Sequence, residues 1–120
     1  TGSLVNNTAN DRRMLFATAT HCGVASDSAA ATVVVYWNYE SPTCRVPSAS
    51  GTSPSLPKPA STSAGLRFLA QTANPFEGAG AAADRSDWTL LELAPTPANN
   101  DFNLYWAGWD RRAPAAGVMA

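Results

Sequence analysis

The segment ATVVVYWNY, residues 31–39, decides the fold class, because β-branched and aromatic residues fill it and strong helix formers are few. It predicts a strand that is buried on at least one face. Five further segments have similar character, and none shows sustained helical periodicity. They cover residues 2–5, 13–19, 66–72, 88–93 and 103–109. The sequence therefore predicts an all-β fold built from short antiparallel strands.

The first two of these segments predict a β-hairpin. Between them, residues 6–11 are rich in Asn and Asp, which tolerate the left-handed backbone conformations of tight turns. A turn there pairs residues 2–5 with residues 13–19. It also places His21 just past the second arm of the hairpin.

Two longer interruptions are rich in small residues. Residues 46–65 contain four prolines and almost no large apolar side chain, which predicts an exposed, mobile loop. An interdomain linker is the alternative, but too few residues flank this stretch for either half to hold an independent core. Residues 78–83, GAGAAA, predict a second loop because the glycines and the short length oppose a helix.

Composition limits the classes of function. A chain of 120 residues with 45% hydrophobic content fits one globular domain with a core. The net charge of −1 leaves no basic surface for nucleic acid. No apolar run approaches the ~18 residues of a transmembrane helix, and the first residues lack the features of a signal peptide. The scarcity of lysine suits a secreted bacterial hydrolase, although compositional bias of a high-GC genome explains it equally well.

His21 is the only histidine of the chain and is the fourth residue of the motif TATHC, residues 18–22. Histidine is the side chain that ordinarily titrates near neutral pH, so general-base chemistry would have to use it. Asp87 stands at the start of an apolar run, and the order His then Asp matches Ser-His-Asp proteases. We predict that the His21 ring and the Asp87 carboxylate lie within about 6 Å of each other. The alternatives are a structural histidine in an unrelated β-domain and a carboxylate that only shapes a turn.

The two cysteines, Cys22 and Cys44, leave three possibilities open. They can form one disulfide, remain two free thiols or belong to two separate bridges. Together with one histidine they are too few for a structural zinc site, so the sequence predicts no metal.

Several motifs together resemble the bacterial lysyl endopeptidases, which are secreted chymotrypsin-fold serine endopeptidases that cleave after lysine. TATHC and the aspartate before an apolar strand are shared with the wider chymotrypsin superfamily. YWNY (36–39) and WAGWDRR (106–112) point to the lysyl endopeptidase branch. Residues 1–5, 41–45 (SPTCR) and 86–93 (SDWTLLEL) extend the resemblance over nearly the whole chain, except the two small-residue loops. Thr20 departs from the alanine or histidine common in relatives.

The resemblance implies roles for the two candidate residues. His21 corresponds to the general base and Asp87 to the acid that orients it, whereas the Gly-Xaa-Ser-Gly nucleophile loop does not occur in this sequence. The chain alone is therefore expected to be inactive. The alternative is a catalytically inactive protease-like β-barrel that binds partners through its aromatic-rich surface.

The resemblance also implies an architecture and a setting. Residues 1–100 correspond to the N-terminal Greek-key β-barrel of a double-barrel protease, without its first strand, and residues 101–120 to a linker and the start of the second barrel. The full-length protein would be a secreted monomer acting on polypeptide substrates. It would need no cofactor and no nucleic-acid or membrane partner.

We expect Cys22 and Cys44 to be two free thiols in the isolated chain. By resemblance, each pairs with a cysteine upstream of Thr1. A seven-residue strand between them spans roughly 20 Å, whereas a disulfide needs Cα atoms within about 7 Å. Each missing bridge should cost about 2–5 kcal/mol of stability. Thiol titration of the unreduced monomer measures this, and zero free thiols with one intramolecular bridge would contradict it.

Overall fold

A computed structural model describes residues 1–39, 62–78, 85–93 and 103–110. In these residues the chain is mostly β-sheet with one short α-helix, α1 (Asp27–Ala30), and one 3-10 helix (Thr20–Cys22). The strands are β1 (Ser3–Val5), β2 (Leu15–Thr18), β3 (Val34–Tyr36), β4 (Thr62–Ala64), β5 (Leu66–Gln71), β6 (Thr89–Leu93) and β7 (Trp106–Ala107). None of the described helices is long and apolar enough to cross a membrane.

Five strands form one sheet in the order β5-β6-β2-β1-β7, and β3 pairs with β4 separately. The antiparallel pairing of β1 with β2, with Ser3 opposite Ala17, confirms the predicted hairpin. β7 runs parallel to β1, so the sheet is mixed, and the prediction of antiparallel strands alone is wrong at this edge. Among the described residues the outer strands β5 and β7 do not pair, so the sheet is open. The closed Greek-key barrel is not confirmed.

The strand predicted over residues 31–39 begins later in the structure, because the N–H groups of residues 31–33 donate to carbonyls of a capped helix that precedes them. The Ser26 hydroxyl accepts a hydrogen bond from the backbone N–H of Ala29 at 3.2 Å, which satisfies a free donor of the first turn. Helix α1 then continues to Ala30, and β3 begins only at Val34. Alternate residues are buried, as predicted for a strand with one covered face; these are Val35 and Trp37.

Several predicted features fall outside the described residues. They are Cys44, residues 46–61 of the proline-rich loop, residues 79–83 of the second loop, and most of residues 101–120. The end of the proline-rich segment is strand β4 rather than loop. The residues of β4 have weak β-propensity. They form a strand because they pair with β3.

The core lies between the two sheets and α1. β6 shows the period of two expected for a half-buried strand, with Thr89, Leu91 and Leu93 buried and the intervening residues partly exposed. Phe16 and Trp37 meet edge to face with ring centroids 6.5 Å apart, a favourable geometry for aromatic pairs. The remaining members of the buried cluster are Leu4, Met14, Ala30, Val35 and Leu66.

Gly2 allows β1 to approach β2 closely. A Cβ atom at this position would lie 2.4 Å from the Phe16 ring and 2.6 Å from the carbonyl oxygen of Ala17. The second contact is with backbone, which cannot move aside without disturbing the pairing of the hairpin. A side chain at position 2 therefore conflicts with the observed register.

Leu91→Ala should lower the free energy of unfolding by about 3 kcal/mol, because Leu91 is fully buried and its removal leaves a cavity. The neighbouring Leu90, which is only partly buried, provides the matched control. Leu90→Ala should cost about 1 kcal/mol or less. Urea unfolding followed by circular dichroism measures both. Equal losses for the two variants would show that the assigned core face of β6 is wrong.

Candidate functional site

His21 and Asp87 lie side by side at one edge of the five-stranded sheet. The register of β2 with β6 places Thr18 opposite Thr89. His21 follows Thr18 by three residues, and Asp87 precedes Thr89 by two. Since the strands are antiparallel, the end of β2 and the start of β6 meet at the same edge. The pairing of these two strands thus brings together residues 66 positions apart.

A sharp turn after β2 carries His21. The backbone N–H of Cys22 donates to the carbonyl of Ala19 at 3.2 Å, and that of Gly23 donates to the carbonyl of Thr20 at 2.9 Å. Gly23 ends the 3-10 helix with φ of 78°, a left-handed conformation that glycine adopts without strain. These bonds fix the backbone of the turn on both sides of His21.

His21 engages both oxygens of the Asp87 carboxylate. The ring atom Nδ1 lies 2.5 Å from Oδ2, and the backbone N–H of His21 donates to Oδ1 at 3.1 Å. The predicted proximity of the two side chains is confirmed. A neutral imidazole that donates from Nδ1 carries its lone pair on Nε2. The His21 side chain as a whole is 51% exposed.

The hydrogen bond from the His21 ring lowers the pKa of Asp87 below its usual range. Desolvation acts in the opposite direction, and the backbone N–H groups of His21 and Thr20 add to the lowering. Hydrogen bonds to the ionised form stabilise it. Asp87 is therefore a carboxylate at neutral pH, as an acceptor for Nδ1–H must be.

Thr20, the residue that departs from the related motif, links the two segments that carry His21 and Asp87. Its side chain is buried, and its hydroxyl donates to the carbonyl of Trp88 at 2.7 Å. Thr20 precedes the histidine and Trp88 follows the aspartate. The bond therefore joins the turn that carries His21 to the segment that carries Asp87.

Phe76 lies beside the His21 ring. Their centroids lie 5.5 Å apart at an interplanar angle of 82°, and Phe76 remains 66% exposed. Phe76 lies in a turn in which its backbone N–H donates to Asn74 Oδ1 at 3.0 Å. The Asn74-Pro75 dipeptide is a turn signal, but it does not predict that the turn lies beside His21. Sequence reasoning missed this residue.

Cys22 is a free, exposed thiol in the structure. The Thr18 hydroxyl donates to the carbonyl of Thr1 at 2.9 Å, and its oxygen lies 3.9 Å from the Cys22 sulfur. The partner of Cys22 stays a prediction, because Cys44 lies outside the described residues. Within the described part of the chain, no three His, Cys, Asp or Glu side chains cluster closely enough to hold a metal ion.

Comparison with known families places these residues in a protease context. Residues 1–120 match the protein-family model described as lysyl endopeptidase, C-terminal domain. The match extends over the full sequence and confirms the resemblance to this family. Its description names a C-terminal domain, so the assignment of residues 1–100 to an N-terminal barrel stays a prediction.

Replacing His21 with alanine should raise the pKa of Asp87 toward its ordinary value, because the hydrogen bond that lowers it most is lost. The side-chain carboxyl carbon signal of Asp87, followed by NMR titration, reports this pKa. Asp11 is the internal control. Its pKa is also lowered, but mainly by the backbone N–H of Arg13, and it should not change.

The sign of the pH effect on stability follows from this direction. A carboxylate whose folded-state pKa is lowered stabilises the fold above its unfolded pKa, and the contribution is lost as pH falls through the folded pKa. The stability difference between the unaltered chain and Asp87→Asn should therefore shrink in acid. A difference that grows below the ordinary aspartate pKa would contradict the observed hydrogen bonding.

Proposed function

Because this chain belongs to the lysyl endopeptidase family, we propose that it contributes His21 as general base and Asp87 as orienting carboxylate to a serine endopeptidase. The observation that carries the proposal is the 2.5 Å contact between Nδ1 of His21 and Oδ2 of Asp87. It is the contact that a Ser-His-Asp triad requires on the side of the ring away from the nucleophile. The proposed substrates are polypeptides cleaved after lysine by a secreted enzyme.

Each group has a defined task in the proposed reaction. Nε2 of His21 accepts the proton of a serine hydroxyl while the serine oxygen attacks the scissile carbonyl carbon. Asp87, still ionised, stabilises the imidazolium that forms. The imidazolium then donates its proton to the departing amine, and a water molecule, deprotonated by the same nitrogen, releases the acyl group. The serine would be supplied by residues outside this sequence, since no Gly-Xaa-Ser-Gly motif occurs within it.

The proposal includes a Greek-key barrel, whereas the described residues form an open sheet. The antiparallel run β5-β6-β2-β1 is compatible with one wall of the expected N-terminal Greek-key barrel, residues 1–100. Residues 101–120 are proposed to lead toward a second barrel. Strand β7 lies within this segment, and its parallel pairing with β1 places it at the edge of the five-stranded sheet.

Exposed aromatic side chains favour a second candidate function, a protease-like binding module without activity. Tyr105 is 91% exposed, and several other large apolar residues are partly exposed: Val34, Tyr36, Tyr39, Phe76, Trp88 and Trp109. Exposed aromatic groups are enriched at protein interfaces. This candidate differs from the first because it does not need Nε2 of His21 to exchange a proton.

Hydrolysis of a lysyl peptide by the complete gene product tests the proposal. His21→Ala should lower kcat by about 10⁴-fold or more, and Asp87→Asn by about 10⁴-fold, because the triad members act as a unit. Asp11→Asn is the matched control, since it makes the same chemical change at an exposed carboxylate in another turn. Its activity should stay within about twofold. The 120-residue chain alone should be inactive.

Three outcomes would contradict the proposal. An active gene product that tolerates His21→Ala would exclude His21 as the base. A folded gene product without hydrolytic activity on lysyl peptides would favour the binding module. Inhibitor-sensitive turnover by the isolated chain would contradict a nucleophile supplied from outside it.

A further inference from the structure

We propose that Thr72 is a positioning residue that holds Asp87 in place for His21. The inference rests on the proposed function, because positioning matters only if these two side chains act together. Thr72 is the first residue after strand β5, and it lies beside the segment that carries Asp87.

One hydroxyl group holds the backbone on both sides of Asp87. Oγ1 of Thr72 donates to the carbonyl of Ser86 at 2.9 Å and accepts from the N–H of Trp88 at 3.2 Å. A hydroxyl can donate once and accept in the same geometry, so both bonds can exist together. The N–H of Thr72 adds a third bond, to the carbonyl of Trp88 at 3.0 Å. The peptide groups flanking Asp87 are thereby tied to the end of β5.

Thr72 also lies close to the turn that carries the histidine. Oγ1 of Thr20 lies 3.2 Å from Oγ1 of Thr72, and the Thr20 hydroxyl donates to the carbonyl of Trp88, which also accepts from the N–H of Thr72. Thr20 is the residue immediately before His21. The two threonines therefore connect three segments: the end of β5, the turn after β2 and the approach to β6.

This placement argues for a role beyond loop stability. His21 contacts Asp87 through one ring nitrogen and one backbone N–H, and both bonds depend on where the carboxylate stands. Removing the Thr72 hydroxyl leaves the Trp88 N–H and the Ser86 carbonyl without this partner, so the segment can shift. A displacement of about 1 Å at a catalytic group can cost a hundredfold in rate.

Two variants separate the hydroxyl from the shape of the side chain. Thr72→Val keeps the shape and removes the hydrogen bonds, whereas Thr72→Ser keeps the hydroxyl. Thr32→Val is the matched control, because Thr32 also donates its hydroxyl to a backbone carbonyl, that of Ala29 at 2.8 Å, beside α1. If Thr72→Val folds poorly, Thr72→Ala removes the same hydroxyl without placing a methyl group at its position.

The first measurement is made by NMR on the 120-residue chain, in which His21 supplies the only histidine signals. In Thr72→Val, the Nδ1–H proton signal should move upfield as its hydrogen bond to Asp87 lengthens. The Trp88 amide should exchange with solvent about tenfold faster. Thr72→Ser and Thr32→Val should leave both signals unchanged. An unchanged Nδ1–H signal in Thr72→Val would overturn the inference.

The second measurement is the kinetics of the complete gene product. Thr72→Val should lower kcat by about 10- to 100-fold with little change in KM, and Thr72→Ser should restore it. Equal kcat in Thr72→Val and the unaltered protein would overturn the positioning role. Failure of the proposed function would appear differently. The complete gene product would tolerate His21→Ala, while NMR of the unaltered 120-residue chain would still show the hydrogen bond between His21 and Asp87.

Discussion

The pairing register of β2 with β6 is the constraint on which the candidate site depends. With Thr18 opposite Thr89, the residues that leave one strand and enter the other meet at a single sheet edge. A slip by one residue would turn Leu91 from the core toward solvent and also misalign His21 with Asp87. Burial of the apolar residues of β6 therefore also fixes the alignment of His21 with Asp87. Packing and chemistry are specified by the same ladder of hydrogen bonds.

The charge of Asp87 is maintained by hydrogen bonds rather than by ion pairing with arginine. Glu92, at the other end of β6, shows the contrast: its pKa is lowered by bonds from Arg13 and then from Arg67. Those guanidinium groups stay charged at any relevant pH, so Glu92 has a constant partner. The partner of Asp87 is an imidazole, whose charge can change during a reaction. The two ends of one strand thus hold carboxylates of different character.

Local patterns predicted much of this fold, and long-range contacts account for what they missed. The β1–β2 hairpin, β5, β6 and the approach of His21 to Asp87 follow from residue type, turn signals and a known motif. The prediction of a strand from residue 31 is wrong at its start, because residues 31–33 are bonded to the end of a helix that Ser26 caps and whose Asp27 also accepts from the N–H of Phe68 at 2.9 Å. Thr72 and Phe76 carry no local signal, since their importance comes from neighbours distant in sequence. Local patterns predict a strand within residues 103–109 but not its parallel pairing with β1.

The parallel pair of β1 and β7 also affects when the molecule can assemble. Leu4 pairs with Trp106, which is 102 positions away. The pairing of β2 with β6 also joins residues that are distant in sequence. Contacts of such large sequence separation require closure of long loops before any stabilisation is gained, and they slow folding. During synthesis, the β1–β2 hairpin would leave the ribosome long before β6 and β7. Both edges of the hairpin lack their native partner strands in that interval. Edge-to-edge association with other chains then competes with native folding.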